Sequence, residues 1–210
     1  MPTRRSLDAV IAARFLRKAI AQDSEVRHAL LAAGPAIPDD MLVGCRVFSS
    51  RKALIGALVP QGGLGIEVGT QTGEFARVLL DVTKPSALHV VDVTYRLFDE
   101  GLFHADDPLV RHEGLSWEVL RGFADASMDW IYIDASHAYN DVTRDISAAA
   151  TKVRPGGLLV FNDYTSWSPI EVVPYGVLRA VNELLCAGGW DVVGLGLHGL
   201  GYHDICLRRR

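Results

Sequence analysis

The segment Gly65-Ile66-Glu67-Val68-Gly69-Thr70-Gln71-Thr72-Gly73-Glu74-Phe75 leaves an apolar run and opens an amphipathic one. Gly69 lets the chain turn sharply and a ligand approach the backbone, and Gly73 sits where a helix begins. This is the context of a nucleotide-binding strand–helix turn, with GxxxG spacing. A dinucleotide fingerprint would need a further glycine at Thr70 or Gln71. Glu67 places an acid just before the turn, which repels a pyrophosphate and attracts a cationic ligand. Asp92 ends the next apolar run, 19 residues beyond Gly73. An acid there can accept hydrogen bonds from both ribose hydroxyls of a nucleoside; it could instead cap the helix that follows. Two glycines and an acid in register after two predicted strands favour a nucleoside.

A second set of polar residues follows two later apolar runs. One run ends Asp134-Ala135-Ser136-His137-Ala138-Tyr139, the other Asn162-Asp163-Tyr164. If the two ends are neighbours, Asp134, His137, Asn162 and Asp163 converge. Carboxylates with an amide suit Mg²⁺ or a similar divalent ion, with Asp134, Asn162 and Asp163 as ligands. Such an ion would favour loss of a hydroxyl proton. His137 could accept that proton, with Asp134 beside it, since an unperturbed imidazole titrates near ~6.5. The bland alternatives are a helix cap at Asp134, a satisfied loop histidine and loop amides bonded to Asp163.

These residues need a scaffold. Up to about Val59 the chain reads as helices: Leu7, Ile11 and Phe15, then Leu16 and Ile20, then Val26, Leu30 and Leu31 follow helical spacing until Gly34-Pro35. Ser49 and Ser50 could cap a short helix carrying Leu54, Ile55 and Leu58. From Leu64, apolar runs at 64–68, 87–93, 109–112, 128–133 and 157–161 alternate with helical stripes. The stripes are Phe75, Val78, Leu79 and Val82; Val142, Ile146, Ala149 and Val153; and Val177, Val181, Leu184 and Leu185. Such alternation predicts a parallel sheet covered on both faces. Residues 190–197 and 203–207, joined around Gly199 and Gly201, read as an antiparallel hairpin. The expected division is a helical extension over residues 1–63 and a nucleoside-binding domain over 64–210.

These features together resemble the class I S-adenosylmethionine-dependent methyltransferases. The likeness lies in the acid–x–Gly–x–x–x–Gly turn, the acid after the next strand and the terminal hairpin, and covers roughly Leu64 to Arg209. It implies an α/β fold with a doubly wound, mostly parallel seven-stranded sheet. It also implies that Glu67, Gly69, Thr70 and Gly73 surround the methionine end of S-adenosylmethionine and that Asp92 holds the ribose. Ser116, in the loop after the third predicted strand, would contact adenine, or could be only the N-cap of a helix at Trp117. The Asp-x-x-His-x-Tyr pattern with a following Asn-Asp pair resembles a subgroup of small-molecule O-methyltransferases that includes sugar and macrolide-sugar enzymes. It is similar, too, to the catechol and caffeoyl-CoA O-methyltransferases. In those enzymes a lysine follows the metal aspartate by three residues, where His137 stands here, and their Asp-Asn pair is reversed as Asn162-Asp163. The resemblance implies methylation of a small hydroxylated acceptor. The rivals are an NAD-type oxidoreductase and a non-catalytic nucleoside-binding domain.

Composition bounds the partners. The 210 residues carry 21 basic and 25 acidic side chains, a formal net charge of −4, with 49% hydrophobic and 22% charged residues. That balance supplies no broad positive field for nucleic acid and departs from disordered composition. Cys45, Cys186 and Cys206 are an odd number without CxxC spacing, so reduced thiols and a cytoplasmic setting are expected. No signal peptide or membrane span is expected. The helical start could pair subunits of a homo-oligomer.

Overall fold

The computed structural model describes residues 34–210. The helical stripe read from Leu7 to Leu31 lies outside the described residues. The strands are β1 (Arg46–Phe48), β2 (Leu64–Val68), β3 (Ala87–Asp92), β4 (Leu109–Glu113), β5 (Met128–Ile133), β6 (Val153–Phe161), β7 (Trp167–Ser168), β8 (Val173–Pro174), β9 (Trp190–Gly196) and β10 (Asp204–Arg209). The helices are α1 (Arg51–Leu58), α2 (Glu74–Thr83), α3 (Ser116–Arg121), α4 (Tyr139–Ala149) and α5 (Val177–Ala187). No described helix is long and apolar enough to cross a membrane.

Eight strands form one sheet in the order β1-β9-β10-β6-β5-β2-β3-β4. Within this sheet, strand β10 runs antiparallel to both β6 and β9, and every other pairing is parallel; β7 and β8 form a separate antiparallel pair. The expected terminal hairpin is therefore β9–β10. The eighth strand is β1, in a stretch read as helical. It is only three residues long, and it pairs Arg46–Phe48 with Gly194–Gly196.

Burial on both faces explains the continuous apolar runs. Along β5, Trp130 and Tyr132 point into one core with Leu54 and Ile55 of α1 and Leu79 of α2. Ile131 and Ile133 point into the other, with Val142 of α4 and Val181 of α5. This period-two alternation makes a helix–sheet–helix sandwich. Val153, read as the end of a helical stripe, opens β6.

The chain passes from β2 outward through β3 to β4, then returns to β5 on the other side of β2. Strand order reverses there, and open α/β sheets bind ligands outside the carboxyl ends of such strands. Both polar sets predicted from sequence lie at those ends.

Candidate active site

The turn between β2 and α2 is fixed by its glycines. Gly69 has φ +90°, and a Cβ there would lie 2.0 Å from the Asp134 carbonyl oxygen. Its amide donates to Val91 O at 2.8 Å, while the Asp134 amide donates to Val68 O at 2.8 Å. Gly69 is thus the point where β2, β3 and β5 end against one another. Gly73 has φ +85° at the N-cap of α2, and a Cβ there would meet Phe98 and Phe103 at 2.7 and 2.9 Å. Asp92 closes the turn from below, accepting from the Gln71 amide at 2.8 Å and the Thr94 amide at 3.2 Å.

Above this turn lies a cleft of about 640 Å³, lined by Gly69, Thr70, Asp92, Ser116, Asp134 and His137 among others. Its carboxylates are Glu74, Asp92, Asp134, Asp141, Asp145 and Glu171, against the one guanidinium of Arg51. Glu67 stands behind the cleft, 1% exposed. Burial pushes its carboxyl up to about 8 against the lowering effect of the facing Thr70 hydroxyl, and neither Glu67 Oε2 nor Thr70 Oγ1 has a partner at full hydrogen-bond geometry among the described residues. An acidic cleft with an orphaned acid and hydroxyl at its glycine turn suits a ligand that brings positive charge and N–H donors.

A second cleft, of about 570 Å³, adjoins the first; Asn162, Asp163, Tyr175, His198, Tyr202 and Asp204 line it. Arg51, His137 and Glu171 line both. The β7–β8 hairpin supplies Ile170 and Glu171, so the aromatic-rich segment after β6 walls this cleft. His203 accepts the His198 amide on Nδ1 at 3.0 Å, a structural contact within the tail hairpin, and His198 also lines the second cleft.

His137 stands at the junction. Its Nε2 lies 3.7 Å from Asp134 Oδ1 and 3.5 Å from Asp163 Oδ2. Its ring stacks on Tyr175 with centroids 4.3 Å apart and planes 7° from parallel. Burial opposes the imidazolium, but Asp134, Asp163 and Glu171 outweigh it, so the His137 pKa is raised. Burial pushes the Asp163 carboxyl up to about 6.

The predicted metal ligands converge only in part. Asp134 and Asp163 flank His137, whereas Asn162 donates its amide to Asp204 Oδ1 at 3.3 Å. Among the described residues no group of three or more His, Cys, Asp or Glu is arranged to hold a metal ion. Two of the three predicted ligands, Asp134 and Asp163, therefore stand together at His137, while the Asn162 amide nitrogen is engaged by Asp204. Ser116 is not the N-cap of α3, a place held by Leu115. Its hydroxyl donates to Asp145 Oδ1.

Sequence reading missed Arg51, Asp145 and Asp204. Arg51 opens α1, lies 3.9 Å over the Phe75 ring and reaches Asp134 Oδ2 at 3.5 Å. Nothing local marks it. Asp204 is 2% exposed, accepts the Tyr132 hydroxyl at 2.7 Å and is pushed by burial up to about 7. Asp145 is 1% exposed on α4, and burial pushes it up to about 6. These two left a trace: each is an acid inside an apolar pattern, Asp145 three residues after Val142 and Asp204 just before Ile205.

A family model described as a methyltransferase domain matches residues 66–164. No curated protein sequence matches the chain. Among solved structures, an O-methyltransferase from Bacillus cereus in complex with SAH is 14% identical, with 100% of this chain and 93% of that one covered and a TM-score of 0.59. A ribosomal protein L11 methylase from Lactobacillus delbrueckii is 14% identical, with 76% and 77% covered and a TM-score of 0.55. A "putative hemolysin" from Streptococcus thermophilus is 18% identical with a TM-score of 0.54; 74% of this chain is covered, and the chain spans 62% of that one. The chain therefore has the Rossmann-like methyltransferase fold, and the stretch from β2 to the end of β6 carries the methyltransferase-domain pattern.

Proposed function

We propose that the chain is an S-adenosylmethionine-dependent O-methyltransferase acting on a small hydroxylated molecule. The observation that carries this reading is His137, flanked by two carboxylates where the two clefts meet. The residues of the first cleft fit the cofactor. The unpartnered Glu67 and Thr70 oxygens can accept from the methionine ammonium, and the six carboxylates suit a sulfonium. Asp92 can take the ribose hydroxyls. The same carboxylates would repel the pyrophosphate of a dinucleotide, which disfavours the oxidoreductase reading.

When bound, the cofactor supplies an electrophilic methyl group on a sulfonium. The chain's own residues bind and orient the acceptor and move its proton. Asn162, Asp163, Tyr175 and Tyr202 offer polar and aromatic contacts to a hydroxylated acceptor in the second cleft. His137 Nε2 takes the hydroxyl proton, and Asp134 and Asp163 stabilise the imidazolium that results. Arg51 ties Asp134 to the Phe75 face and so keeps the junction ordered. Much of the barrier is met by holding nucleophile and methyl in line.

Isothermal titration with S-adenosylmethionine and S-adenosylhomocysteine tests the cofactor; the absence of binding by both would refute the proposal. A screen over sugar, phenolic and polyketide hydroxyls, with Mg²⁺ or with chelator, tests the acceptor and the metal together. Turnover that survives chelation is expected.

A further inference from the structure

Asp145 poses a problem that the proposed chemistry leaves unsolved. It projects from the core-facing side of α4, between Val142 and Ile146, and is 1% exposed. Ser116 satisfies its Oδ1, but its Oδ2 has no partner and no cation pairs with it among the described residues. The neighbouring acid Asp141 is already bonded by Ser136 at 2.8 Å and Arg144 at 3.4 Å. A buried carboxylate oxygen left unpaired is costly, and such groups usually await a donor.

The donor must come from the cleft, because Asp145 lines it alongside Ser116 and Trp117. The strand order says which part of a nucleoside arrives there. Asp92 ends β3 and faces the ribose. Ser116 and Trp117 follow β4, the next strand outward, so the base extends toward them. Resting on the cofactor reading above, we propose that Asp145, held by Ser116, reads the exocyclic amine of the adenine base. Asp145 is then a selectivity residue for an amino-purine, and Ser116 is a positioning residue that fixes which carboxylate oxygen faces the base. This moves the adenine contact expected of Ser116 onto a helix 29 residues further along the chain.

The chemistry makes a sharp demand. An amine donates to Oδ2, whereas the carbonyl of an inosine-type base presents lone pairs to it. A site built around one hydrogen-bonded group rejects the analogue lacking it. In the Asp145→Asn variant the Ser116 hydroxyl would still favour an oxygen acceptor, which turns the new amide nitrogen toward the base. The preference should then invert.

The test is isothermal titration of the full chain with S-adenosylhomocysteine and S-inosylhomocysteine. Wild type is expected to bind the adenosyl compound at least about tenfold more tightly, the range of a hydrogen bond to a charged group. D145N should lose that preference or favour the inosyl compound, and S116A should narrow it. Equal binding of both compounds by wild type overturns the assignment, and that result needs no variant to fold. An unchanged preference in folded D145N overturns it as well. If wild type binds neither compound, the cofactor reading itself falls and takes this assignment with it, a result distinct from binding without preference.

Discussion

His137 is useful only if its proton can be taken up and passed on at a working pH. Two carboxylates within 3.7 Å favour its charged form and raise its pKa above the ordinary imidazole value. A base must be neutral to act, so the acid limb of the pH–rate profile should lie above ~6.5. Asp163→Asn removes one favouring charge and should move that limb to lower pH; a limb that stays put would detach Asp163 from the base. His137→Ala should slow turnover by about 10²–10⁴, the usual contribution of general base catalysis, with affinity for S-adenosylhomocysteine within a few-fold of wild type. Comparable turnover in H137A, measured beside a binding titration, would remove the histidine from the mechanism.

The elements succeed or fail at their ends. Gly69→Ala puts a methyl against the Asp134 backbone and asks an L residue to hold φ +90°. The loss should be about 3 kcal/mol or more, read as a lowered denaturation midpoint together with weakened cofactor binding. Helix α1 tests the other face of the site. Ser50 Oγ accepts the Ala53 amide at 3.2 Å, so Ser50→Ala should cost about 1 kcal/mol and loosen Arg51 at the junction. An unchanged melting temperature in S50A would show that this cap contributes little. The same elements explain what the sequence reveals. The glycine turn, the Ser50 cap and the strand ends at Asp92 and Asp134 are local, written in a few adjacent residues. Strand β1 is too short for its periodicity to show. Arg51 meets Asp134 across 83 residues, and Tyr132 meets Asp204 across 72, so those pairs exist only once the sheet order is known. The eight-stranded order also brought Asp163 to His137 while turning Asn162 toward Asp204, which spacing alone could not separate.

Across the molecule, the site concentrates acids that burial keeps reluctant to ionise. Glu67 is pushed up to about 8, Asp204 to about 7, and Asp145 and Asp163 to about 6. For each, the folded protein binds a proton that the unfolded chain has already released above its ordinary carboxylate value. Stability from these groups is therefore full at low pH and is lost as pH rises through the folded values. The raised His137 acts in the same direction. The half-buried His89 and His112, 2.9 Å apart, are lowered by burial and oppose this trend only on the acid side, below about pH 6.5. Between about pH 6.5 and 8 the first set dominates, with Glu67 and Asp204 titrating in that window. The ligand-free melting temperature should fall across it, and Glu67→Gln, which cannot titrate, should flatten the slope. A flat wild-type profile, or an equal slope in E67Q, would sink the argument. A cationic ligand should act oppositely, because ionised carboxylates bind it better. S-adenosylmethionine should thus raise the melting temperature more at pH 8 than at pH 6.5. The uncharged sulfur of S-adenosylhomocysteine should give a smaller pH-dependent gain, which separates the role of the sulfonium charge from that of the nucleoside.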